Sequence, residues 1–469
     1  MAGSGQREPR LSNQEVRQKM HQVTNGSFNA RQLFGANYVR SLLPQDFFAT
    51  SFEKDFRHMQ QAVASGPLSS LFTLEKLDQM LAEQAILGEQ VGAVVHGFVG
   101  PKNSARTNDG MLDLIGVRKQ MAGGASIRLQ AAQIFDPAIR QMCAALEKVF
   151  GCGSTANIYI TPPGEHAFKP HYDEHDVMVL QVAGTKTWSI YPDYEHQIEL
   201  PNIRNEFRLG KHKPLGQEPI ELTMNEGDFL YIPRGVMHDA HCTDEYSCHI
   251  TFALHVTTWA DYLGAAVSLL NDADVDFRRA ANVRPMADRR DHAQVAKTLA
   301  DLTARIASLD PDKVERKLFD TNVSKRGTVC GNAISSALKQ QVNPELTGTD
   351  YTVSLVANAT MRLFQDADKT WHLWSAEHSA QLSATEASVM VQLEAGQQLS
   401  SDHIRQMLGD DAGDTFVKTL AMLGLITIAG PAQPTQSGLL AQDGDRTGER
   451  RPTPVGPGIP SLSPQASSH

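Results

Sequence analysis

Between Asn157 and Val256 the chain breaks into short runs of β-branched, aromatic and aliphatic residues, each ended by glycine, proline or an acidic turn. Asn157-Ile158-Tyr159-Ile160-Thr161 is closed by Pro162-Pro163-Gly164. Val177 to Val182 is turned at Ala183-Gly184-Thr185 and followed by Lys186 to Tyr191. Ile220-Glu221-Leu222-Thr223 and Phe229-Leu230-Tyr231-Ile232 flank the turn Asn225-Glu226-Gly227-Asp228, and Pro233 ends the second run. Cys248 to Val256 is a further β-rich run. Such spacing predicts a small barrel or jelly roll of antiparallel strands. The runs on either side of Gly184, and those on either side of Gly227, read as two hairpins.

Chemistry enters with His171-Tyr172-Asp173. Side chains alternate along a strand, so His-x-Asp sets an imidazole and a carboxylate on one face. His238, three residues beyond Gly235, follows the Phe229–Ile232 strand where the chain turns inward. Together these residues offer three ligands to one face of an ion and leave the other face open. Two histidines and one carboxylate suit non-haem Fe(II) and oxygen chemistry. A closed structural zinc site would want four protein ligands, often thiolates. The imidazoles must be neutral and the carboxylate ionised, so binding should weaken in acid. The chain has 17 histidines, so the surroundings of the motif carry the assignment. His175, His241 and His249 are the rival ligands; they read as rim positions or satisfied barrel positions.

The pattern Gly227-x5-Pro233-x-Gly235-x2-His238 resembles the second cupin motif. More widely, Asn157 to Tyr191 with Leu222 to Thr251 resembles the JmjC-type ribosomal oxygenases. The matching residues are Asn157 to Pro162, His171, Tyr172, Asp173, Leu180, Gln181, Gly184, Lys186, Trp188, Pro233, Arg234, Gly235, His238 and Thr251. The resemblance implies an α+β chain built on a double-stranded β-helix (a cupin/JmjC barrel), with a helical dimerisation segment and a C-terminal winged-helix-like domain. It implies an Fe(II)- and 2-oxoglutarate-dependent dioxygenase with His171, Asp173 and His238 as catalytic metal ligands. Lys186 would anchor the distal carboxylate of 2-oxoglutarate, a place that suits a compact ammonium on a long stem. Asn157 and Thr251 would line the cosubstrate pocket. Tyr159 would face substrate or core. The implied reaction uses O₂, releases succinate and hydroxylates a protein side chain, Arg or His of a ribosomal protein. Two departures bear on the substrate: Ala253 stands where relatives carry Ser, and His255 where they tend to carry Tyr.

The remaining sequence frames this unit. At 469 residues more than one domain is expected. The divisions are a flexible N-terminus (1–20), a catalytic domain (21–258), a helical segment (259–345), the winged-helix-like domain (346–430) and a disordered tail rich in Pro, Gly, Ser and Gln (431–469). Asp136-Pro137 starts a helix carrying Ile139, Met142, Cys143, Leu146 and Val149 on its core face, with Gly151 ending it. Residues 383–430 hold six acids against Arg405 and Lys418, which disfavours a phosphate-binding recognition helix. A net charge of −10 disfavours a general nucleic-acid binder and is compatible with a basic protein partner. No stretch is long and apolar enough for a membrane span, and the polar start lacks the apolar core of a signal peptide. Five irregularly spaced cysteines read as free thiols in a reducing cytoplasm. Rival functions are hydroxylation of another peptide such as a natural-product precursor, lysine demethylation, a non-enzymatic cupin/winged-helix regulator, and a cupin isomerase or single-substrate oxygenase. The last class tends to use His-x-His and has no need of Lys186.

Overall fold

The structure is a computed structural model that describes residues 35–82, 91–95, 98–99, 107, 112–201, 213–216, 218–280, 292–326, 350–356, 359, 361–366, 368–375 and 378–429. The N-terminal 1–20 segment, Cys330 and the 431–469 tail lie outside the described residues.

The strands of the first half are β1 (Arg57–Met59), β2 (Val91–Val95), β3 (Phe98–Val99), β4 (Ser126–Leu129), β5 (Gly153–Thr161), β6 (Asp176–Gly184), β7 (Lys186–Tyr191), β8 (Ile220–Met224), β9 (Phe229–Ile232), β10 (Met237–His241) and β11 (Ser247–His255). They form an antiparallel sheet in the order β1-β9-β6-β11-β5-β4-β2-β3 and a smaller one in the order β10-β7-β8. Val177 and Val179 of β6 and Leu230 and Ile232 of β9 meet Trp188, Ile190 and Met224 of the small sheet, filling the space between the sheets. Met178, Leu180, Phe229, Tyr231, Ile250 and Phe252 belong instead to a second core with Ile139, Met142 and Leu146 of the helix Pro137–Phe150. The large sheet is therefore buried on both faces, which is why β6 reads as a continuous apolar run without alternation.

Neither expected hairpin forms. β6 pairs with β9 and β11, whereas β7 pairs with β8 and β10. Likewise β8 lies in the small sheet and β9 in the large one. Both glycine turns are corners that carry the chain from one sheet to the other. Apolar patterning looks the same for a corner and a hairpin, because both faces of the turn lead into buried strands. Gly184 is suited to its corner by a φ of +63°, and a Cβ there would meet the Tyr246 carbonyl oxygen at 2.0 Å.

The helix Pro137–Phe150 is built as its sequence requires. The Asp136 carboxylate accepts from the backbone N–H groups of Ala138 and Ile139 at 2.8 and 3.0 Å, and Gly151 ends the helix in the left-handed conformation. Beyond the barrel come the helices Trp259–Ala273, His292–Ala307 and Pro311–Arg326, where Ala265 and Ala266 pack on Val314 and Leu318. Thr258 and Asp261 make a reciprocal cap at the start of the first. The C-terminal part has its own core, centred on Val353, Val389, Met390, Ile404, Val417 and Leu420. Its strands are β12 (Thr352–Leu355), β13 (Met361–Gln365), β14 (Trp371–Ser375), β15 (Ser379–Leu382), β16 (Leu399–Ser400) and β17 (Ile426–Ala429), in two sheets ordered β16-β12-β17 and β13-β14-β15. Three helices, Ala384–Glu394, Ser401–Leu408 and Asp410–Met422, accompany them.

A buried ion cluster pins the entry to β6. Asp176 is fully buried and accepts from the Tyr231 hydroxyl, the Arg234 backbone N–H (3.1 Å) and Arg234 Nη1 (3.0 Å), while Arg234 Nη2 reaches Glu53 at 2.6 Å. Removing one partner strands a buried charge. Asp176→Ala is expected to lower unfolding stability by about 3–5 kcal/mol in urea titrations; an unchanged midpoint would show that the cluster is not part of what holds the barrel closed.

Candidate metal centre

His171 and His238 meet through the backbone. The His171 N–H donates to the His238 carbonyl at 2.9 Å, and the His238 N–H to the His171 carbonyl at 2.7 Å, in an isolated antiparallel bridge. Their rings stand 4.6 Å apart. Asp173, two residues on, is held by the Gly235 N–H donating to its carbonyl at 3.0 Å. Gly235 has a φ of +87°, and a Cβ on it would run into the Ile198 carbonyl and the Pro201 ring at 2.7 Å. The Pro-x-Gly-x2-His spacing thus supplies the turn that returns His238 to His171.

One ligand atom from each of His171, Asp173 and His238 lies within 4.8 Å of the other two. His238 Nε2 is 3.8 Å from Asp173 Oδ2. Each histidine binds a backbone carbonyl through Nδ1, His171 to Lys169 and His238 to Val236, both at 2.9 Å. Those contacts fix the ring orientation and present Nε2 as a ligand, as outer hydrogen bonds do at metal sites. Burial pushes the His238 imidazole down to about 4, with His171 beside it adding to the effect and Asp173 opposing it. Burial would raise the Asp173 carboxyl, but His171, His175 and His238 outweigh it and hold the group below the usual carboxylate range. A neutral imidazole and an ionised carboxylate are the forms a divalent ion needs. The donor set, two nitrogens and one carboxylate oxygen, fits Fe(II) with open coordination positions.

Lys186 opens β7 on the face shared with Trp188 and Ile190, so it points between the sheets. It is only 2 % exposed, yet no carboxylate pairs with it among the described residues. Its ammonium donates to Thr161 Oγ1 at 2.9 Å, and Ser126 Oγ donates to the same oxygen at 3.2 Å. Burial pushes the ammonium down to about 8, opposed by the sulfurs of Cys242 and Cys248. A buried cation without an anion is costly, and a bound carboxylate would relieve it.

Asn157 and Thr251 are direct partners across β5 and β11, two register positions beyond the pair His249 and Tyr159. Asn157 Oδ1 accepts from the Ala131 N–H at 3.1 Å, so at least half of its amide is engaged in holding the neighbouring backbone. His249 departs from expectation. It is 4 % exposed and sits inside the barrel, stacked on Tyr159 (5.0 Å, 13°) and edge-on to Trp188 (5.7 Å, 74°). It is not a satisfied barrel histidine, because its Nδ1 has no hydrogen-bond partner. Trp188 Nε1 and Arg128 Nε are in the same condition. Arg128 pairs with Tyr159 across β4 and β5. The alternation in Ser126-Ile127-Arg128-Leu129 was the signal that could have placed it on a strand facing the site.

The chain is similar to several known proteins. The family model described as the JmjC domain matches residues 128–262. These residues are therefore similar to a JmjC domain. Over 364 residues the chain is 28 % identical to the Dictyostelium discoideum protein named bifunctional lysine-specific demethylase and histidyl-hydroxylase NO66, covering 71 % of this chain and 70 % of that one. It is 31 % identical over 221 residues to human ribosomal oxygenase 1, covering 45 % of this chain and 33 % of that one. It is 29 % identical over 282 residues to the rat protein of the same name, covering 57 % of this chain and 45 % of that one. The chain therefore spans less than half the length of these two mammalian relatives. The crystal structure of Escherichia coli ribosomal oxygenase YcfD superposes with a TM-score of 0.48 at 14 % identity, covering 82 % of this chain and 98 % of that one.

If the buried Lys186 receives a carboxylate, that binding would depend on pH. The ammonium is fully present below about pH 8 and is lost as pH rises through that value. Affinity for 2-oxoglutarate, followed by calorimetry on Mn(II)-loaded protein, should be level below pH 8 and then fall by up to about tenfold per pH unit above it. Lys186→Met should bind weakly with no such slope; a wild-type profile flat to pH 10 would contradict an ammonium–carboxylate contact.

Proposed function

We propose that this JmjC protein is an Fe(II)- and 2-oxoglutarate-dependent dioxygenase that hydroxylates a side chain of a protein substrate. The observation that carries this is the pairing of a one-sided His171/Asp173/His238 ligand set with a buried, uncompensated Lys186 ammonium in the same barrel. The first calls for an ion with open positions, the second for an anionic cosubstrate beside it. In this assignment His171, Asp173 and His238 hold Fe(II), Lys186 binds the distal carboxylate of 2-oxoglutarate, and Asn157 and Thr251 line the cosubstrate's wall. Bound there, the iron would supply the oxidising chemistry with O₂, coupling decarboxylation of 2-oxoglutarate to C–H hydroxylation. The chain's own part is positional. The Lys169 and Val236 carbonyls keep both imidazoles in one tautomer, and the two-faced burial of the large sheet keeps bulk water from the pocket floor.

The relatives' names, ribosomal oxygenase and histidyl-hydroxylase, support a ribosomal protein as substrate and His as the target, with Arg the other target that the sequence resemblance implies. A net charge of −10 suits a basic partner. We assign 21–258 as the catalytic domain, 259–345 as a dimerisation segment and 346–430 as a winged-helix-like protein-contact module. In the last, Arg405 is paired with Asp414 at 3.1 Å, which leaves little basic charge for phosphates and argues against direct DNA binding. The helix Trp259–Ala273 exposes Trp259 (82 %), Leu263 (58 %) and Val267 at four-residue spacing, and Val295 and Leu299 are exposed on the helix His292–Ala307. A stripe of that kind fits a homodimer. Cys143, Cys152, Cys242 and Cys248 are free, buried thiols, in keeping with a cytoplasmic setting, and among the described residues no helix is long and apolar enough to cross a membrane.

Purified protein given Fe(II), 2-oxoglutarate and ribosomal proteins should release succinate and add the mass of one oxygen to a single His or Arg. Succinate without any modified protein, across ribosomal proteins and basic peptides, would overturn the substrate class. Leu263→Glu combined with Leu299→Glu should convert a dimer to a monomer in size-exclusion chromatography with light scattering; a wild type already monomeric at high concentration would remove the dimer.

A further inference from the structure

Inside the barrel, three nitrogen-bearing side chains from two sheets, Lys186, Trp188 and His249, lie close together with no carboxylate paired to them among the described residues. Lys186 and Trp188 share the inward face of β7. His249 lies on β11, its ring edge-on to Trp188 and stacked on Tyr159. Lys186 finds only the Thr161 hydroxyl. His249 Nδ1 and Trp188 Nε1 are buried without any hydrogen-bond partner. Two such atoms beside one buried cation are an unusual concentration of unmet polar groups, since nearly all buried polar atoms are satisfied. Each one left bare is destabilising, so the arrangement is that of a cradle suited to a ligand with several acceptor lone pairs. The rings are also poorly placed to escape: His249 is clamped between two aromatic neighbours, and Trp188 touches His238 (5.8 Å) on its other side. Burial and the nearby ammonium keep His249 neutral, so it can serve as a hydrogen-bond donor without adding a second charge.

We infer that His249 and Trp188 are positioning residues for the cosubstrate, completing with Lys186 the polar cradle around its distal carboxylate, directly or through one ordered water. This rests on the proposed 2-oxoglutarate dependence and extends it: recognition of the five-carbon diacid is shared between a charge on β7 and two neutral donors on β7 and β11. Trp188 has a second consequence, because it touches both His238 and His249 and so couples the seat of the anion to a metal ligand through one rigid ring.

The test is calorimetric binding to the full-length, Mn(II)-loaded protein, with 2-oxoglutarate and with 2-oxobutyrate, which lacks the distal carboxylate. His249→Phe keeps the stack on Tyr159 and removes the nitrogen. It should weaken 2-oxoglutarate about five- to tenfold while leaving 2-oxobutyrate and Mn(II) affinity unchanged; Trp188→Phe should do the same. His249→Gln should recover part of the loss and serves as the second variant if the phenylalanine protein does not fold. Equal weakening of both acids, or no weakening of either, would overturn the inference, since a purely structural role cannot tell the two acids apart. A wild type that binds Mn(II) but not 2-oxoglutarate would instead remove the dioxygenase reading and this one with it.

Discussion

Two backbone hydrogen bonds, exchanged between His171 and His238, hold the candidate site together. They join the segment between β5 and β6 to β10 and set the two imidazoles ring to ring. Everything that follows chemically depends on this bridge. Asp173 is brought in because it lies two residues later, in the link that leads into β6, and its backbone is tied to Gly235 on the returning loop. The glycine is needed because neither its φ nor the crowding by Ile198 and Pro201 admits a side chain. Ligand geometry is thus a property of the backbone, and the side chains inherit it.

The large sheet makes the second contribution. Its outer face is sealed by helices and its inner face by the small sheet, so polar groups placed inside are desolvated from both directions. That is why Lys186 and His238 titrate lower than their exposed counterparts. For His238 the effect favours metal binding, because the imidazole stays neutral well into the acid range. For Lys186 it makes the free protein less stable and leaves an ammonium ready for a carboxylate, a familiar way in which binding sites hold unfavourable electrostatics in reserve.

Much of this is legible in the sequence, for identifiable reasons. His171, Asp173 and His238 are readable because a strand's two-residue period and the Pro-x-Gly turn both act over a few residues. The helix Pro137–Phe150 is readable to within a residue because its cap, its apolar face and its terminal glycine all agree. The pairing of strands is not readable. β6 and β7 look like a hairpin, and only the folded barrel shows them parting into different sheets at Gly184. The short strand carrying Arg128 passes unnoticed, since its alternation is the one local signal and runs over only four residues. His249 is misjudged for a related reason: whether a buried imidazole is satisfied depends on the neighbours that β5 and β7 bring to it, and those are set by register across three strands.

In the proposed centre three side chains, His171, Asp173 and His238, hold one ion on a single face. Electron paramagnetic resonance of Mn(II) added to the full-length protein and to its His171→Ala, Asp173→Ala and His238→Ala variants tests it most directly. One tightly bound ion per chain is expected in the wild type, with water still exchanging at open positions and with each single variant losing most of the affinity. Undiminished binding in any two of the three variants would contradict it.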